Sequence, residues 1–166
     1  NVDCIGIAGE NLVRYASIMN DLHRAAGRCG GGAVMGSKRL KAIAVFGKKS
    51  VKLANPGSFA EVAKKQFELL DQHMFKVALE TFGTNVVIDL VNVRGGFPTR
   101  NWQTSVFPEI EEINSQALSD KVLDQPLGCF ACPLKCGRGS EIRRGKYKGA
   151  KGEGPEYESV GTLGGG

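Results

Sequence analysis

Hydrophobic positions change their spacing near residue 50. The first 47 residues combine many glycines with short apolar runs, and residues 42–46 predict a buried strand that ends at Gly47. Residues 51–53 predict another short strand. Beyond them, apolar side chains recur to about residue 80 at spacings that mostly suit helices. The pattern therefore predicts a β-rich segment followed by helices.

Helix signals continue through the second part of the chain. A turn at residues 55–58 predicts a helix start, with Ser58 as the N-cap and Glu61 completing a capping box. A second helix is predicted over residues 84–93 and is followed by a Gly-Gly-Phe-Pro break. A short third helix is predicted over residues 115–123, directly before a cysteine-rich segment.

Length and composition fit a folded protein of this kind. Of the 166 residues, 42% are hydrophobic and 23% are charged, which is typical of a chain that forms a core. We expect an α+β fold in two parts, a β-rich part at residues 1–54 and a mainly α-helical part at residues 55–166. Because the chain starts at Asn1 without Met and stops in a glycine run, we expect an internal segment of a longer polypeptide.

The composition also bears on location. No stretch approaches the roughly 18 to 20 uninterrupted apolar residues of a membrane span, and the start lacks the layout of a signal peptide. Five cysteines, three of them clustered, suit a reducing compartment better than a disulfide framework. A cytoplasmic location is therefore the expectation.

The formal charge of +5 comes mostly from two basic clusters, at residues 38–49 and 143–151. Neither cluster carries the interleaved aromatic residues that stack on bases, and no helix-turn-helix, RNA-recognition or zinc-finger pattern accompanies them. We therefore expect no nucleic-acid partner. A solvated surface, or a docking face for a small acidic electron carrier, accounts for the charge.

Three cysteines form the most informative motif. Cys129, Cys132 and Cys136 follow a C-x2-C-x3-C spacing, so that their thiols can face one small volume. Thiolates are soft ligands that suit iron–sulfur clusters, zinc or copper(I). Such sites usually have four ligands, and the fourth is either Cys4 or Cys29 or a residue beyond Gly166. The motif predicts a metal centre and leaves its type open.

A glycine-rich segment at residues 24–38, here the glycine loop, is a second candidate. Its glycines permit close backbone approach, and Arg24, Arg28 and Lys38 bring positive charge, a combination suited to holding phosphate. The segment matches neither the P-loop nor the dinucleotide-binding glycine pattern. A packed glycine turn with surface cations explains it equally well.

Residues 152–158, the acidic segment, are the third candidate. Closely placed carboxylates can donate and accept protons, whereas most acidic turns are solvated turns without chemistry. His23 and His73 have no metal-ligand spacing with each other or with the cysteines.

Taken together, six sequence blocks resemble the successive signatures of the aldehyde ferredoxin oxidoreductase family, in the family's order. The blocks are residues 9–14, 24–28, 32–38, 98–101, 129–136 and 154–158. The resemblance implies that residues 1–54 are the end of a β-rich, pterin-binding N-terminal domain and that residues 55–166 begin a helical iron–sulfur domain. It also implies that a fourth cluster cysteine and a second pterin-binding stretch lie in a later segment.

The resemblance implies cofactors and their ligands. Family members hold a tungsten, occasionally molybdenum, centre through two pterin cofactors, with a [4Fe-4S] cluster nearby. Cys129, Cys132 and Cys136 match the cluster ligands, and the Ala26 carbonyl matches a ligand of a bridging magnesium ion. The residues implied to bind the pterin phosphate are Ala26, Gly27, Arg28, Gly30, Gly31 and Lys38.

The implied activity is oxidation of aldehydes to carboxylic acids, or the reverse. Glu158, or Glu156 in the competing register, matches a carboxylate near tungsten that manages a proton. Electrons would pass through the cluster to ferredoxin or to a partner subunit of an oligomer or complex. The alternatives are the tungsten subunit of an aromatic-ring-reducing benzoyl-CoA reductase, and a non-catalytic iron–sulfur or zinc-binding module.

Overall fold

The computed structural model describes residues 1–165 and divides the chain into two compact units, unit 1 (Asn1–Lys52) and unit 2 (Leu53–Gly166). Each unit combines helices with an antiparallel sheet, which confirms the α+β fold class. In the part of the chain that the structure describes, no helix is both long and apolar enough to cross a membrane. The assignment of residues 1–54 and 55–166 to separate domains of the whole protein stays a prediction.

A four-stranded antiparallel sheet forms the base of unit 1. The strands are β1 (Val2–Cys4), β2 (Ile18–Asn20), β3 (Arg24–Ala26) and β4 (Ala42–Ala44), in the spatial order β3-β2-β1-β4. In the register, Asp3 of β1 lies opposite Asn20 on one side and Ile43 on the other. Two short helices, α1 (Ile7–Glu10) and α2 (Gly31–Ser37), lie in the connections between strands.

Glycines allow the backbones of α1 and α2 to touch. A Cβ atom on Gly36 would overlap the carbonyl oxygen of Gly9, and one on Gly9 would lie 2.9 Å from the carbonyl oxygen of Gly32. Buried Ile5 and Met35 complete this contact. Side chains cannot enter such a backbone contact, so these positions require glycine.

Unit 2 contains most of the helix. Its helices are α3 (Pro56–Asp71), α4 (Lys76–Phe82), α5 (Ile88–Val93), α6 (Ser115–Lys121) and α7 (Tyr157–Ser159). Shorter helical turns lie at Gly83–Val87, Ile110–Glu112 and Val160–Gly164. The predicted helices at residues 84–93 and 115–123 are confirmed, with the first beginning as a 3-10 turn and the second ending at Lys121.

The core of unit 2 forms around Ile88, Phe97 and Val160, which are nearly or fully buried. The Asn92 side chain ties this core to the following loop, because it both donates to the Phe107 carbonyl (3.1 Å) and accepts from the Phe107 amide (2.8 Å). Helix α5 and the loop after it thus form one packed body.

A second antiparallel sheet also belongs to unit 2, although the hydrophobic pattern did not predict it. Its strands are β5 (Leu123–Leu127), β6 (Gly137–Glu141) and β7 (Lys151–Glu153), in the order β5-β6-β7. β6 begins directly after Cys136 and contains three glycine or serine residues. Such a strand lacks the alternation of apolar and polar residues on which strand prediction depends.

Three local predictions were wrong. The run at 42–46 forms a strand only at Ala42–Ala44, and that strand is exposed because it is an edge strand that pairs with β1 alone. Residues 51–53 form no strand. Helix α3 starts before Ser58: Asn55 is its N-cap, accepting a hydrogen bond from the Ser58 amide (3.0 Å), and Pro56 takes the first turn. Proline lacks the N–H that a helix start leaves unpaired, so this earlier start has no energetic cost.

Candidate metal and acid–base site

The three clustered cysteines lie in the connection between β5 and β6, here the cysteine loop (residues 128–136). The loop turns tightly, because the Cys132 amide donates to the Cys129 carbonyl (3.0 Å) and Ala131 and Lys135 adopt positive φ values of 55° and 46°. Cys129 is exposed, Cys132 and Cys136 are half-buried, and all three are free thiols. The loop therefore presents reduced sulfur ligands within one short turn.

The other two thiols and a carboxylate affect the titration of Cys136. Burial raises the pKa of the Cys136 thiol, and the negative charges of Glu156, Cys129 and Cys132 raise it further. A bound cation would reverse this effect, since it favours the thiolate form.

The cysteine loop alone does not form a complete metal site. Among residues 1–165 no group of three or more histidine, cysteine, aspartate or glutamate side chains is arranged to hold a metal ion. Cys4 and Cys29, the other free cysteines, belong to unit 1. Three soft thiols in one turn fit the chemistry of an iron–sulfur cluster that takes its fourth ligand from elsewhere.

Arg138, two residues after the last cysteine, anchors the loop. It is 4% exposed, and its guanidinium donates to the carbonyls of Leu79, Glu80 and Thr81 at distances of 2.6 to 3.0 Å. It also donates to the carbonyl of Lys135 at 2.5 Å. The first three carbonyls belong to the last turn of α4, where a helix leaves carbonyls in need of partners, and that of Leu79 also accepts from the Gly83 amide. One side chain thus joins the end of a helix to the cysteine loop.

Gly83 makes room for this anchor. It follows α4 with φ at 64°, and a Cβ atom there would lie 2.7 Å from the Cys136 carbonyl oxygen and 2.8 Å from Arg138 Nε. Both the conformation and the space therefore require glycine.

Hydrogen bonds hold the acidic segment against β6. The Gly154 amide donates to the Arg138 carbonyl (2.6 Å), and Ser140 Oγ donates to the Gly154 carbonyl (2.5 Å). From the helical side, Asn85 Nδ2 donates to the Pro155 carbonyl (2.8 Å). The Gly154–Pro155 peptide bond is cis. Residues far apart in the sequence thus place the carboxylates beside the cysteine loop.

Glu156 faces the inside of this arrangement. Thr84 Oγ1 donates to its carboxylate (2.6 Å) and accepts from the Tyr157 amide (2.9 Å). The Glu156 charge acts on two neighbours, raising the pKa of Cys136 and opposing the lowering of the Arg138 pKa that burial causes. Thr84 therefore holds the Glu156 carboxylate in a fixed position.

Glu158 differs from Glu156 in its surroundings. It lies in α7, is exposed, and its carboxylate makes no hydrogen bond or ion pair with any residue from 1 to 165. A carboxylate without protein partners is free to exchange protons with a bound molecule. Of the two candidate acids, Glu158 is exposed, whereas Glu156 is half-buried and hydrogen-bonded.

The glycine loop lies in unit 1, where β3 ends at Ala26 and a 3-10 turn, Arg28–Gly30, leads into α2. Ala26, Gly27 and Arg28 are exposed. Gly30 is buried with φ at 71°, and a Cβ atom on it would overlap the Arg14 carbonyl oxygen. Backbone packing thus accounts for Gly30, whereas Gly27 has open space around it.

Lys38 is not brought to the same place. It is the C-cap of α2, whereas Gly30 and Gly31 are at the other end of this helix. Seven helical residues separate the backbones by about 10 Å. The structure therefore groups Ala26, Gly27 and Arg28 on one exposed turn and leaves Lys38 apart from them.

Sequence reasoning missed Arg138, Thr84, Asn85 and Gly83. Apart from the contact of Arg138 with Lys135, the hydrogen-bond partners of Arg138 and Thr84 lie 57 to 73 residues away, and no local spacing reveals such contacts. Arg138 alone carried a weak signal, since it directly follows the cysteine motif and glycine.

Comparison with known proteins places this site in a family. The family model described as "Aldehyde ferredoxin oxidoreductase, N-terminal domain" matches residues 1–47, and the model for "domains 2 & 3" of the same enzyme matches residues 61–166. The chain belongs to the aldehyde ferredoxin oxidoreductase family.

Individual relatives agree with this assignment. A tungsten-containing aldehyde ferredoxin oxidoreductase of Thermococcus kodakarensis is 46% identical over 165 residues, which cover 99% of this chain and 27% of the relative. The enzyme of the same name from Pyrococcus furiosus is 47% identical over 161 residues, which cover 96% of this chain and 26% of that relative. An aliphatic sulfonate oxidoreductase subunit of Pyrococcus furiosus is 34% identical over 171 residues, which cover 96% of this chain and 26% of that relative. The chain thus spans about a quarter of the length of these relatives.

One solved structure is also similar. The active-site complex of benzoyl-coenzyme A reductase with a dienoyl-CoA superposes with a TM-score of 0.60 at 26% identity, covering 96% of this chain and 25% of that chain.

Proposed function

We propose that this chain carries part of the catalytic centre of a tungsten-containing oxidoreductase that converts aldehydes to carboxylic acids, or the reverse. Oxidation of one aldehyde by one water molecule yields the acid, two protons and two electrons. The protein must therefore bind the aldehyde, remove protons and pass electrons onward one or two at a time.

One observation carries the proposal. In the same unit, the cysteine loop lies beside a fixed carboxylate, Glu156, and the acidic segment also presents a free one, Glu158. A module that only binds zinc or a cluster would need the thiols and would leave the acidic segment unexplained. Identities of 46% and 47% to tungsten-containing aldehyde ferredoxin oxidoreductases support the same conclusion.

The residue types in these two loops suit the implied cofactors. Cys129, Cys132 and Cys136 would hold three corners of a [4Fe-4S] cluster, since free thiols within one turn are its usual ligands. The exposed turn at residues 26–28 would contact a pterin phosphate through backbone amides and the Arg28 guanidinium, and the Ala26 carbonyl would face a magnesium ion. When bound, the tungsten or molybdenum pterin would supply the two-electron redox chemistry, and the cluster the one-electron transfer.

Each carboxylate has its own part in the proposed reaction. Glu158 would accept a proton as the acid forms, because its carboxylate is exposed and has no partner within residues 1–165. Glu156 would hold the acidic segment in place, because its carboxylate accepts a hydrogen bond from the Thr84 hydroxyl.

The acceptor of the electrons would be ferredoxin or a partner subunit of a larger complex. The basic clusters at residues 38–49 and 143–151 suit an acidic carrier, since complementary charge accelerates such encounters. Clustered cysteines, which suit metal binding better than a disulfide framework, fit the reducing conditions of the cytoplasm.

A second candidate rests on the structural similarity to the benzoyl-coenzyme A reductase complex. In that case the chain would belong to a tungsten subunit that reduces an aromatic ring. The identity of 26% to that structure is well below the 46% and 47% to the aldehyde enzymes, so we favour the aldehyde substrate.

Elemental analysis of the whole protein, purified without oxygen, tests the proposal. We expect about four irons with acid-labile sulfide and about one tungsten or molybdenum per subunit. Turnover of an aldehyde panel with a viologen acceptor should follow, whereas turnover of benzoyl-CoA alone would favour the second candidate.

The variants Cys132→Ser and Cys4→Ser provide a matched pair. Cys132→Ser should lose iron and sulfide, and Cys4→Ser, which changes a half-buried cysteine of β1, should retain both. Zinc without sulfide in the unmodified protein would reduce the cysteine loop to a structural clip and disprove the proposal.

A further inference from the structure

Arg138 carries a positive charge that the fold of unit 2 does not neutralise directly. Its hydrogen-bond acceptors are the neutral carbonyls of Leu79, Glu80, Thr81 and Lys135, and it forms no ion pair with a carboxylate anywhere in residues 1–165. A buried charge without a paired countercharge is costly, and an apolar side chain of similar size would avoid that cost. The cost indicates that the charge itself has a use.

The surroundings show where the charge acts. Arg138 is two residues from Cys136 in the chain, and its guanidinium donates to the carbonyl of Lys135 in the cysteine loop (2.5 Å). A Cβ atom on Gly83 would lie 2.7 Å from the Cys136 carbonyl oxygen and 2.8 Å from Arg138 Nε, so the side chain passes close to the end of this loop. The positive charge therefore lies within electrostatic range of the sulfur ligand that ends the cysteine loop.

Geometry fixes that charge in place. Hydrogen bonds to the last turn of α4 and to Lys135 hold both guanidinium NH2 groups, and Gly83 lies against Nε. The Nε atom is buried and has no hydrogen-bond partner in the described chain. Leaving this donor unpaired costs free energy, and the side chain occupies the position despite that cost. The guanidinium cannot move away when the charge of the loop changes.

We propose that Arg138 is a positioning residue with an electrostatic role: it holds the cysteine loop on α4 and raises the reduction potential of the iron–sulfur cluster that the loop would bind. The inference rests on the proposed function. Reduction adds one negative charge to a cluster, and a fixed positive charge nearby stabilises the reduced form. The carboxylate of Glu156 would lower the reduction potential, so the potential would depend on the balance between Arg138 and Glu156.

Three variants of the whole protein, purified without oxygen, test this role. Arg138→Gln removes the charge and keeps hydrogen-bond donors, whereas Arg138→Lys keeps the charge and loses the planar fork of donors. Arg144→Gln is the matched control, because Arg144 is an exposed residue of the same unit. Iron and sulfide are counted first, and the midpoint potential of the cluster is then measured by redox titration with electron paramagnetic resonance.

We expect the ratio of reduced to oxidised cluster, at the midpoint potential of the unmodified protein, to fall about tenfold in Arg138→Gln, which corresponds to about 59 mV for a one-electron couple. Arg138→Lys should keep the unmodified potential while holding less iron, and Arg144→Gln should change neither quantity.

An unchanged potential in an iron-replete Arg138→Gln protein would overturn the inference. If that variant lost its iron, Arg138→Lys would decide: iron at the unmodified potential, even in a reduced amount, would support the role of charge, and complete loss of iron there as well would show that Arg138 acts only as a structural clamp. Absence of iron and sulfide from the unmodified protein would instead refute the proposed function.

Discussion

The glycine loop and the cysteine loop are both short, glycine-flanked turns with positive charge nearby, yet they are built differently. In the glycine loop, main chain packs on main chain: Gly30, Gly32 and Gly36 each lie where a Cβ atom would overlap a carbonyl oxygen. In the cysteine loop, a side chain holds the turn, because Arg138 ties it to a helix nearly 60 residues earlier in the chain.

The contrast shows two ways of fixing a ligand-binding turn. Backbone packing depends on glycine, tolerates almost no substitution and leaves side chains such as Arg28 free on the surface. Side-chain anchoring places a charge next to the ligands and makes the electrostatics of the site part of the fold. We expect the first turn to respond to steric changes and the second to loss of polar groups.

A methyl group in the glycine loop should have the largest effect on stability. Gly30→Ala combines a positive φ with overlap on the Arg14 carbonyl, so we expect it to destabilise unit 1 by about 3 kcal/mol or more. Hydrogen exchange of the α2 amides in the whole protein, followed by mass spectrometry, measures this loss.

The matched control is Gly27→Ala, at a glycine with right-handed helical backbone angles and open space around it. Its stability should change by less than about 1 kcal/mol. We expect the tungsten content of this variant to fall, because an added methyl group hinders close approach of a phosphate. Equal protection in the two variants would contradict the packing role of Gly30.

Removing a polar side-chain group beside the cysteine loop should cause the next largest loss of stability. Thr84→Val keeps the side-chain shape but removes the hydrogen bonds to Glu156 and from the Tyr157 amide. We expect a cost of about 2 kcal/mol, since one partner is charged and both are partly buried. Exchange of the Tyr157 amide should accelerate accordingly.

Thr81→Val is the control for this change, because the Thr81 hydroxyl is exposed and donates only to the Val77 carbonyl of its own helix (2.8 Å). Its effect should stay within about 0.5 kcal/mol. Similar exchange rates in the two variants would show that the Thr84 hydroxyl does not hold the acidic segment.

The smallest effect should come from the ion pairs on α4, the helix that Arg138 anchors. The hydrogen bond from Lys76 (2.9 Å), together with the charges of Lys76 and Lys135, holds the pKa of Glu80 below its ordinary value. A lowered pKa in the folded state contributes stability above the ordinary glutamate value of 4.5, and this stability is lost as the pH falls further.

Thermal unfolding of the metal-free protein, measured from neutral pH into acid, checks the direction of this pH dependence. Glu80→Gln should lower the melting temperature slightly at neutral pH, and the difference from the unmodified protein should vanish in acid. Glu68→Gln, which changes an exposed ion pair of 3.9 Å in α3, should show a smaller difference still. A Glu80→Gln difference that grew as the pH fell would contradict the assignment.

Local sequence signals performed well where neighbours in the chain decide the outcome. The helices near residues 84–93 and 115–123 follow from apolar spacing, and Asn114 caps the second of them as expected of an asparagine. The start of α3 was misplaced by a few residues because Asn55 and Ser58 are both capable caps, and only Pro56 favours the earlier one.

The strands of unit 2 were not predicted, for a different reason. The sheet of unit 2 includes β6, whose glycines and serine pair with β5 and β7 on both sides. Pairing of this kind joins residues that are distant in the sequence, so the amino acids of β6 alone carry little trace of it.

The sequence by itself determined the family, the helices and the three thiols, because spacing along the chain is enough to bring C-x2-C-x3-C ligands into one turn. Only the tertiary structure decided which carboxylate is held and which is free, and which residues surround Cys136. Those features depend on contacts between Thr84, Arg138 and Glu156, which lie on separate elements. Folding brings such residues together, and no periodicity in the chain records their distances.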